Sequence, residues 1–219
     1  MFIKKAAALA LGLALAAGGV VALSVTASAA PTGTESMGEA FTGPAEEPTL
    51  DAAGPGPVNL IRYNLAKAAV HEYNLKITEA NRKCDKYLTK SEGQNCAKTA
   101  WCGAFTRYIW KTNATSKARI PGSPLWATNW GFAGNNAPLF QLRGSGKGGT
   151  PNLGDVVVYG RPGASGHVSI VVKVHPNGNI DTVDGNASNK VHYKKNLDPR
   201  TAVAGENGNQ HIWGYRKPA

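Results

Sequence analysis

Gly166-His167-Val168-Ser169-Ile170-Val171-Val172-Lys173-Val174-His175-Pro176-Asn177-Gly178-Asn179-Ile180-Asp181-Thr182-Val183-Asp184-Gly185-Asn186 holds two β-branched runs either side of Pro-Asn-Gly-Asn. Such a pattern reads as an antiparallel hairpin, Val168–Val174 with Asn179–Val183, because Asn-Gly accepts the positive φ angles of a type I′ turn. With Asn177 and Gly178 as a two-residue loop, Val171 faces Asp184 and His167 faces Ser188. Side chains alternate along a strand, so Asp184, Asn186 and Ser188 share the face of His167. In this register Asn186 is the closer diagonal neighbour of His167 and Asp184 is one step further. A bulge reverses that order, so the pattern leaves the choice between them open.

Working outward, Val156–Tyr159, Lys190–Tyr193 and His211–Tyr215 are further β-branched or aromatic runs between turn residues. Upstream the period changes. Ile61, Leu65, Ala68, Ala69 and Tyr73 mark a helix over Val58–Thr78. Cys102, Phe105 and Ile109, flanked by Tyr108, mark another over Ala97–Thr112. Between Asn113 and Thr150 the chain is rich in Gly, Pro, Ser and Asn, yet carries Trp126, Trp130, Phe132 and Phe140. Trp126 and Trp130, four residues apart, suit core packing and substrate contact equally. Asp155, in a turn before a strand, is expected to bond to backbone. Arg107, Lys111 and Lys117 are expected on a solvated face. Helices followed by strands, without an internal repeat, indicate one α+β domain with an antiparallel sheet.

The chain begins with Lys4-Lys5, an apolar run from Ala6 to Leu23 and an Ala27-x-Ala29 exit. These are the parts of a secretory signal peptide over residues 1–29, cut before Ala30. The apolar run is shorter than the ~20 residues of a spanning helix, and no later segment is apolar enough to span. Residues 30–57 hold five acidic residues and no lysine or arginine, with much Pro, Gly, Ala and Thr, and are expected to be a disordered tail. Residues 58–219 carry 22 of the 24 basic and nine of the 14 acidic residues, a net charge of +13. A basic exported domain points to an anionic partner, whether wall polymer, lipid head group, nucleic acid or acidic glycan; charge sign alone does not choose.

Three cysteines are present. Cys84 and Cys96 flank a polar loop that a disulfide closes readily, which leaves Cys102 as the odd thiol. In an oxidising compartment an odd thiol is either an intermolecular link or a reactive group. Composition alone favours an inert, buried Cys102, since it shares a face with Phe105 and Ile109. A nucleophilic thiol needs a base, and the base needs an orienting group. Of the five histidines, His167 opens a strand, where its ring can project from a sheet end. His71, His175, His192 and His211 read as surface or packing residues. No Cys and His spacing suits zinc, so no metal or cofactor is expected.

Four segments occur in one order: Trp101-Cys102-Gly103-Ala104-Phe105-x-x-Tyr108-x-Trp110, Pro151-x-x-Gly154-Asp155-Val156-Val157-Val158-Tyr159, Gly166-His167-Val168-Ser169-Ile170-Val171, and Ile180-x-Thr182-Val183-Asp184-Gly185-Asn186. Together they resemble the CHAP family of cysteine- and histidine-dependent amidohydrolases and peptidases, from about Val58 to about Tyr193. The resemblance implies a papain-like α+β fold of helices packed on an antiparallel sheet, and hydrolysis of peptidoglycan as an N-acetylmuramoyl-L-alanine amidase or a stem or cross-bridge endopeptidase. It implies Cys102 as nucleophile and His167 as base. Asp184 stands where the family usually has Glu, and Asn186 on its frequent accompanying Asn. The partners expected are peptidoglycan and anionic wall polymers, with no nucleic acid, no membrane after signal cleavage and no second subunit. The product is expected outside the cell, at the wall, with neither a calcium loop nor a separate wall-binding module. An NlpC-type endopeptidase normally orients its base with a second histidine, which is absent at 184 and 186. The rival from another class is a non-catalytic, basic wall-binding protein with a similar shell.

Overall fold

The computed structural model describes residues 44–45, 47–49, 57–113, 120–131, 139–144, 149–163, 165–205 and 208–218. The expected signal peptide, most of the acidic stretch, Lys117 and Phe132 lie outside the described residues. The 3.6-residue pattern of the first helical segment forms α1, Pro57–Asn74. Its Ile61, Leu65, Ala69 and Tyr73 are buried, as the spacing requires of one face. The helix ends one turn before the expected Thr78: Lys76 turns left-handed at φ 53, and Thr78 forms an isolated bridge with Lys190.

The second helix, α2, spans Cys102–Asn113. It starts five residues later than the periodicity suggests, because Cys96–Lys98 is a 3₁₀ turn and Trp101 lies outside any helix. Cys102 is therefore the first residue of the helix, with Phe105 and Ile109 buried on the same side. Arg107 is not solvated as expected. It reaches back to Glu92 and donates to Tyr87 O at 2.7 Å, with 15% of its side chain exposed. Lys111 is exposed.

Seven strands are described: β1 Phe140–Leu142, β2 Val156–Tyr159, β3 His167–Val174, β4 Ile180–Ala187, β5 Lys190–Leu197, β6 Val203–Ala204 and β7 Gln210–Arg216. The order across the antiparallel sheet is β1-β7-β2-β3-β4-β5, with β6 paired to β7. β1 and β6 escaped the sequence pattern because three and two residues are too few to show alternation. Both helices pack on the strands that carry the motifs, α1 against β3 and α2 against β3 and β4.

The β3–β4 turn differs from the expected one. Pro176 fixes φ near −65°, which suits the second position of a type I turn. The turn His175–Gly178 closes by Gly178 N–H donating to His175 O at 2.9 Å, with Gly178 at φ 86 and no positive φ at Asn177. A three-residue loop with a left-handed glycine therefore replaces the two-residue type I′ loop. It pairs Val174 with Ile180, and a bulge between Val171 and Lys173 then brings Ser169 opposite Asp184.

An ion-pair cluster ties α1 to the residues entering β2, and a disulfide closes the loop before α2. Asp155, fully buried, accepts from Arg62 of α1, from Lys217 Nζ at 2.6 Å and from the Asn152 N–H at 2.8 Å. The backbone bond expected of Asp155 is thus joined by two cations. Cys84 and Cys96 form the expected disulfide, closing the loop that leads into α2, and Cys102 is the free thiol. Replacing both bridged cysteines with Ser is expected to lower the unfolding free energy by roughly 3 kcal/mol, read as a reduced midpoint in denaturant. Alkylation of the folded, unreduced chain should add one label by intact mass.

Candidate active site

The residues around Cys102 are fixed before any chemistry is considered. Trp101, fully buried, stacks on Tyr87 and donates its indole N–H to Glu79 Oε1 at 3.0 Å. Its carbonyl accepts the Phe105 N–H at 2.8 Å, which sets the first turn of α2. Thr106 Oγ1 donates to Cys102 O at 3.0 Å. Cys102 is 7% exposed at the helix start, where N–H groups without helical acceptors and the positive end of the dipole favour a thiolate.

His167, the first residue of β3, pairs with Tyr159 of β2 and is itself 7% exposed. Its Nε2 lies 3.1 Å from Asp184 Oδ2. That leaves Nδ1 for the sulfur, and the Cys102 thiol couples to the ring by hydrogen bonding and charge. Asp184 is fully buried on β4. Its Oδ1 accepts from Thr182 Oγ1 at 2.8 Å, and its Oδ2 also receives Lys194 Nζ at 2.7 Å.

Burial works against each charge here, and pairing outweighs it. Desolvation alone pushes the Cys102 thiol up, but the His167 ring and the N–H groups of Gly103 and Val168 bring it below its ordinary value. Burial alone pushes the His167 imidazolium down, yet Asp184 and Cys102 raise it to about 9. Burial likewise opposes the Asp184 carboxylate, which Lys194 and His167 hold well below the usual range. The chemistry favoured at neutral pH is a thiolate–imidazolium pair. The folded chain holds the His167 proton more tightly than the unfolded chain, whose histidine titrates near 6.5. The stabilisation this proton contributes is complete below about pH 6.5 and lost as the pH rises through about 9.

Of the two residues left open by the hairpin pattern, the one that reaches the imidazole is Asp184. β4 bulges between Asp184 and Ala187, and Asn186 sits there at φ 60, half-buried, with no hydrogen bond to His167 among the described residues. The other histidines lie elsewhere. His71 and His211 are exposed, and His175 Nε2 pairs with Asp181 Oδ1 at 2.7 Å. His192, opposite Asp184 on β5, is held towards its neutral form chiefly by burial, with Lys190 and Lys194 adding to it. The described group of possible metal-ligating atoms, Cys84, Asp85 and Cys96, has both sulfurs in the disulfide.

The two tryptophans divide. Trp130 is core: fully buried, donating its indole N–H to Pro124 O at 2.8 Å, edge-on to Trp110. Trp126 is 71% exposed, on a segment that touches both sides of the site. A Cβ on Gly103 would lie 2.1 Å from Pro124 O, and one on Gly166 would lie 2.8 Å from Thr128 Cγ2. The stretch from Pro124 to Thr128 thus packs against the residue after Cys102 and the residue before His167. Sequence reasoning missed this adjacency, and it missed Lys194 and Thr182. Lys194 faces Thr182 across β4 and β5, a relation visible only once two bulges are known.

Residues 91–186 match the family model of the CHAP domain. The match takes in Cys102, His167, Asp184 and Asn186, is shorter than the resemblance from about Val58 to about Tyr193, and leaves out α1 and Lys194. No curated protein and no solved structure matches the chain. The helices on an antiparallel sheet form the α+β, papain-like architecture expected of such a domain.

Proposed function

We propose that this chain, a CHAP-domain protein over residues 91–186, is an exported cysteine hydrolase that cleaves an amide bond in the peptide part of peptidoglycan. The domain is that of amidase- and peptidase-type hydrolases of peptidoglycan. The bond is the muramoyl–alanine amide or one within the stem or cross-bridge. The observation that carries this reading is the buried line of Cys102 at a helix start, His167 and Asp184, with Asp184 Oδ2 at 3.1 Å from His167 Nε2.

In the proposed reaction the Cys102 thiolate attacks the amide carbon, and the electron pair of the C=O bond moves to oxygen. N–H groups of the first turn of α2 stabilise that oxyanion; one such donor is typically worth about 3 kcal/mol. Collapse of the intermediate breaks the C–N bond as His167 gives its proton to the leaving amine. Water then attacks the thioester, His167 takes a water proton, and the acid and the thiolate are released. Trp126, exposed on the segment between the two reacting sides, offers a flat apolar wall for the sugar or peptide next to the scissile bond. The net charge of +13 over residues 58–219 supports retention on an anionic wall.

Digestion of purified peptidoglycan followed by mass analysis of the soluble fragments tests the reading. One new amine and one new carboxyl per cut are expected, with release stopped by iodoacetamide. A wall that yields no fragments, although the protein binds it, would replace the hydrolase with a binding protein.

A further inference from the structure

Lys194 belongs to none of the motifs quoted above, yet it touches the same oxygen that orients His167. It lies on β5 opposite Thr182, diagonal to Asp184. Its Nζ is 2.7 Å from Asp184 Oδ2, and 24% of its side chain is exposed. Thr182 Oγ1 holds the other oxygen at 2.8 Å. Asp184 is therefore clamped at both oxygens inside a fully buried setting. An aspartate side chain is one methylene shorter than a glutamate and has little slack to follow a moving ring, so its orientation has to be fixed by its neighbours.

We infer that Lys194 is a positioning residue of this site: its ammonium shares Asp184 Oδ2 with His167 Nε2, pins the carboxylate against the ring and offsets part of its charge. This rests on the reading of Cys102 and His167 as the reacting pair. The offset matters because the same imidazolium must later give up its proton. A fully buried carboxylate with the imidazolium as its sole counter-charge holds that proton too firmly for transfer to a leaving amine. A second cation on the same oxygen weakens the hold while keeping the ring aligned.

The charged and titratable groups around this carboxylate come from every element packed on it. They are His167 on β3, Lys194 and His192 on β5, Tyr159 on β2 and, through the ring, Cys102 on α2. Lys190 acts one step away, on His192.

The test uses the full chain, and its first readout needs no wall substrate. The rate of Cys102 alkylation by iodoacetamide is measured against pH for the unsubstituted chain, Lys194→Met and Lys194→Arg. Lys194→Met should move the alkaline inflection, which reports the imidazolium, upward by about one unit. Its kcat on solubilised wall fragments should fall about tenfold, because the acid that protonates the leaving amine is about one unit weaker, with KM unchanged. Lys194→Arg should restore both. If Lys194→Met does not fold, Lys194→Gln, which keeps an N–H donor without the charge, is read by the same profile. A neutral variant whose profile overlays that of the unsubstituted chain would overturn the inference, whatever its stability. An unsubstituted chain whose thiol titrates like a free cysteine would instead remove the Cys102–His167 pair itself, and this inference with it.

Discussion

Cys102→Ala is expected to release no peptide from purified wall, a loss of at least about four orders of magnitude, while its melting temperature should stay within a few degrees of that of the unsubstituted chain. The size of the loss follows from the chemistry: without the sulfur no acyl-enzyme forms, and residual rate comes only from oriented donors and binding. The small effect on stability follows from the site. Cys102 is the first residue of α2, so alanine there keeps the helix and removes one atom from a nearly closed position. The substitution also deletes a thiolate whose charge is stabilised only by its partners, so little cohesion is lost with it. Measuring fragment release and thermal denaturation on the same preparation checks both halves. Lysis retained by Cys102→Ala would transfer the chemistry elsewhere.

The second large effect separates two neighbours on one strand. Asp184→Ala is expected to lower kcat by about 10²- to 10⁴-fold and to destabilise the fold by several kcal/mol, because Lys194 and the His167 imidazolium lose their buried partner. Asn186→Gly should stay within a few-fold of the unsubstituted rate and lose little stability. Glycine is the control of choice there, since Asn186 sits at φ 60 and a side chain with a Cβ, other than Asn or Asp, strains that conformation. Kinetics on soluble wall fragments with denaturant melts of both variants make the comparison. Equal losses in the two, or a larger one at Asn186, would mean that the asparagine orients the ring.

Much of this site is legible in the sequence, and its limits are physical. The helix-then-strand order, the disulfide pair and the prominence of His167 all follow from spacing and turn chemistry. The hairpin register differs from the plain two-residue loop, while Asp184 stays on the face of His167. Pro176 shifts the loop by one residue, and the bulge between Val171 and Lys173 shifts it by another. Two one-residue shifts restore parity, so Asp184 still shares the face of His167 but comes one step nearer than a plain ladder allows. Bulges depend on packing across strands, which no local pattern encodes. The same reason hid Lys194, since it reaches Asp184 only through the irregular β4–β5 pairing. The start of α2 was set too early because Ala97 to Trp101 have residue types that a helix tolerates; the neighbouring disulfide and the packing of Trp101 on Tyr87 accompany the non-helical path there. The solvated face assigned to Arg107 failed for a related reason, since Glu92 approaches from a separate turn.

The last of the described strands is an interior one. β7 lies between β1 and β2, and β2 is the neighbour of β3. The layer bearing His167 is therefore complete only when Gln210–Arg216 is seated between β1 and β2. Lys217, the next residue, supplies the second cation to Asp155. Long-range closure of this kind is slow relative to local helix formation, so α2 with its thiol is expected to form before the imidazole is seated against it. The pairing of Cys102 with His167 is thus expected only once strands far apart in the sequence have closed into one layer.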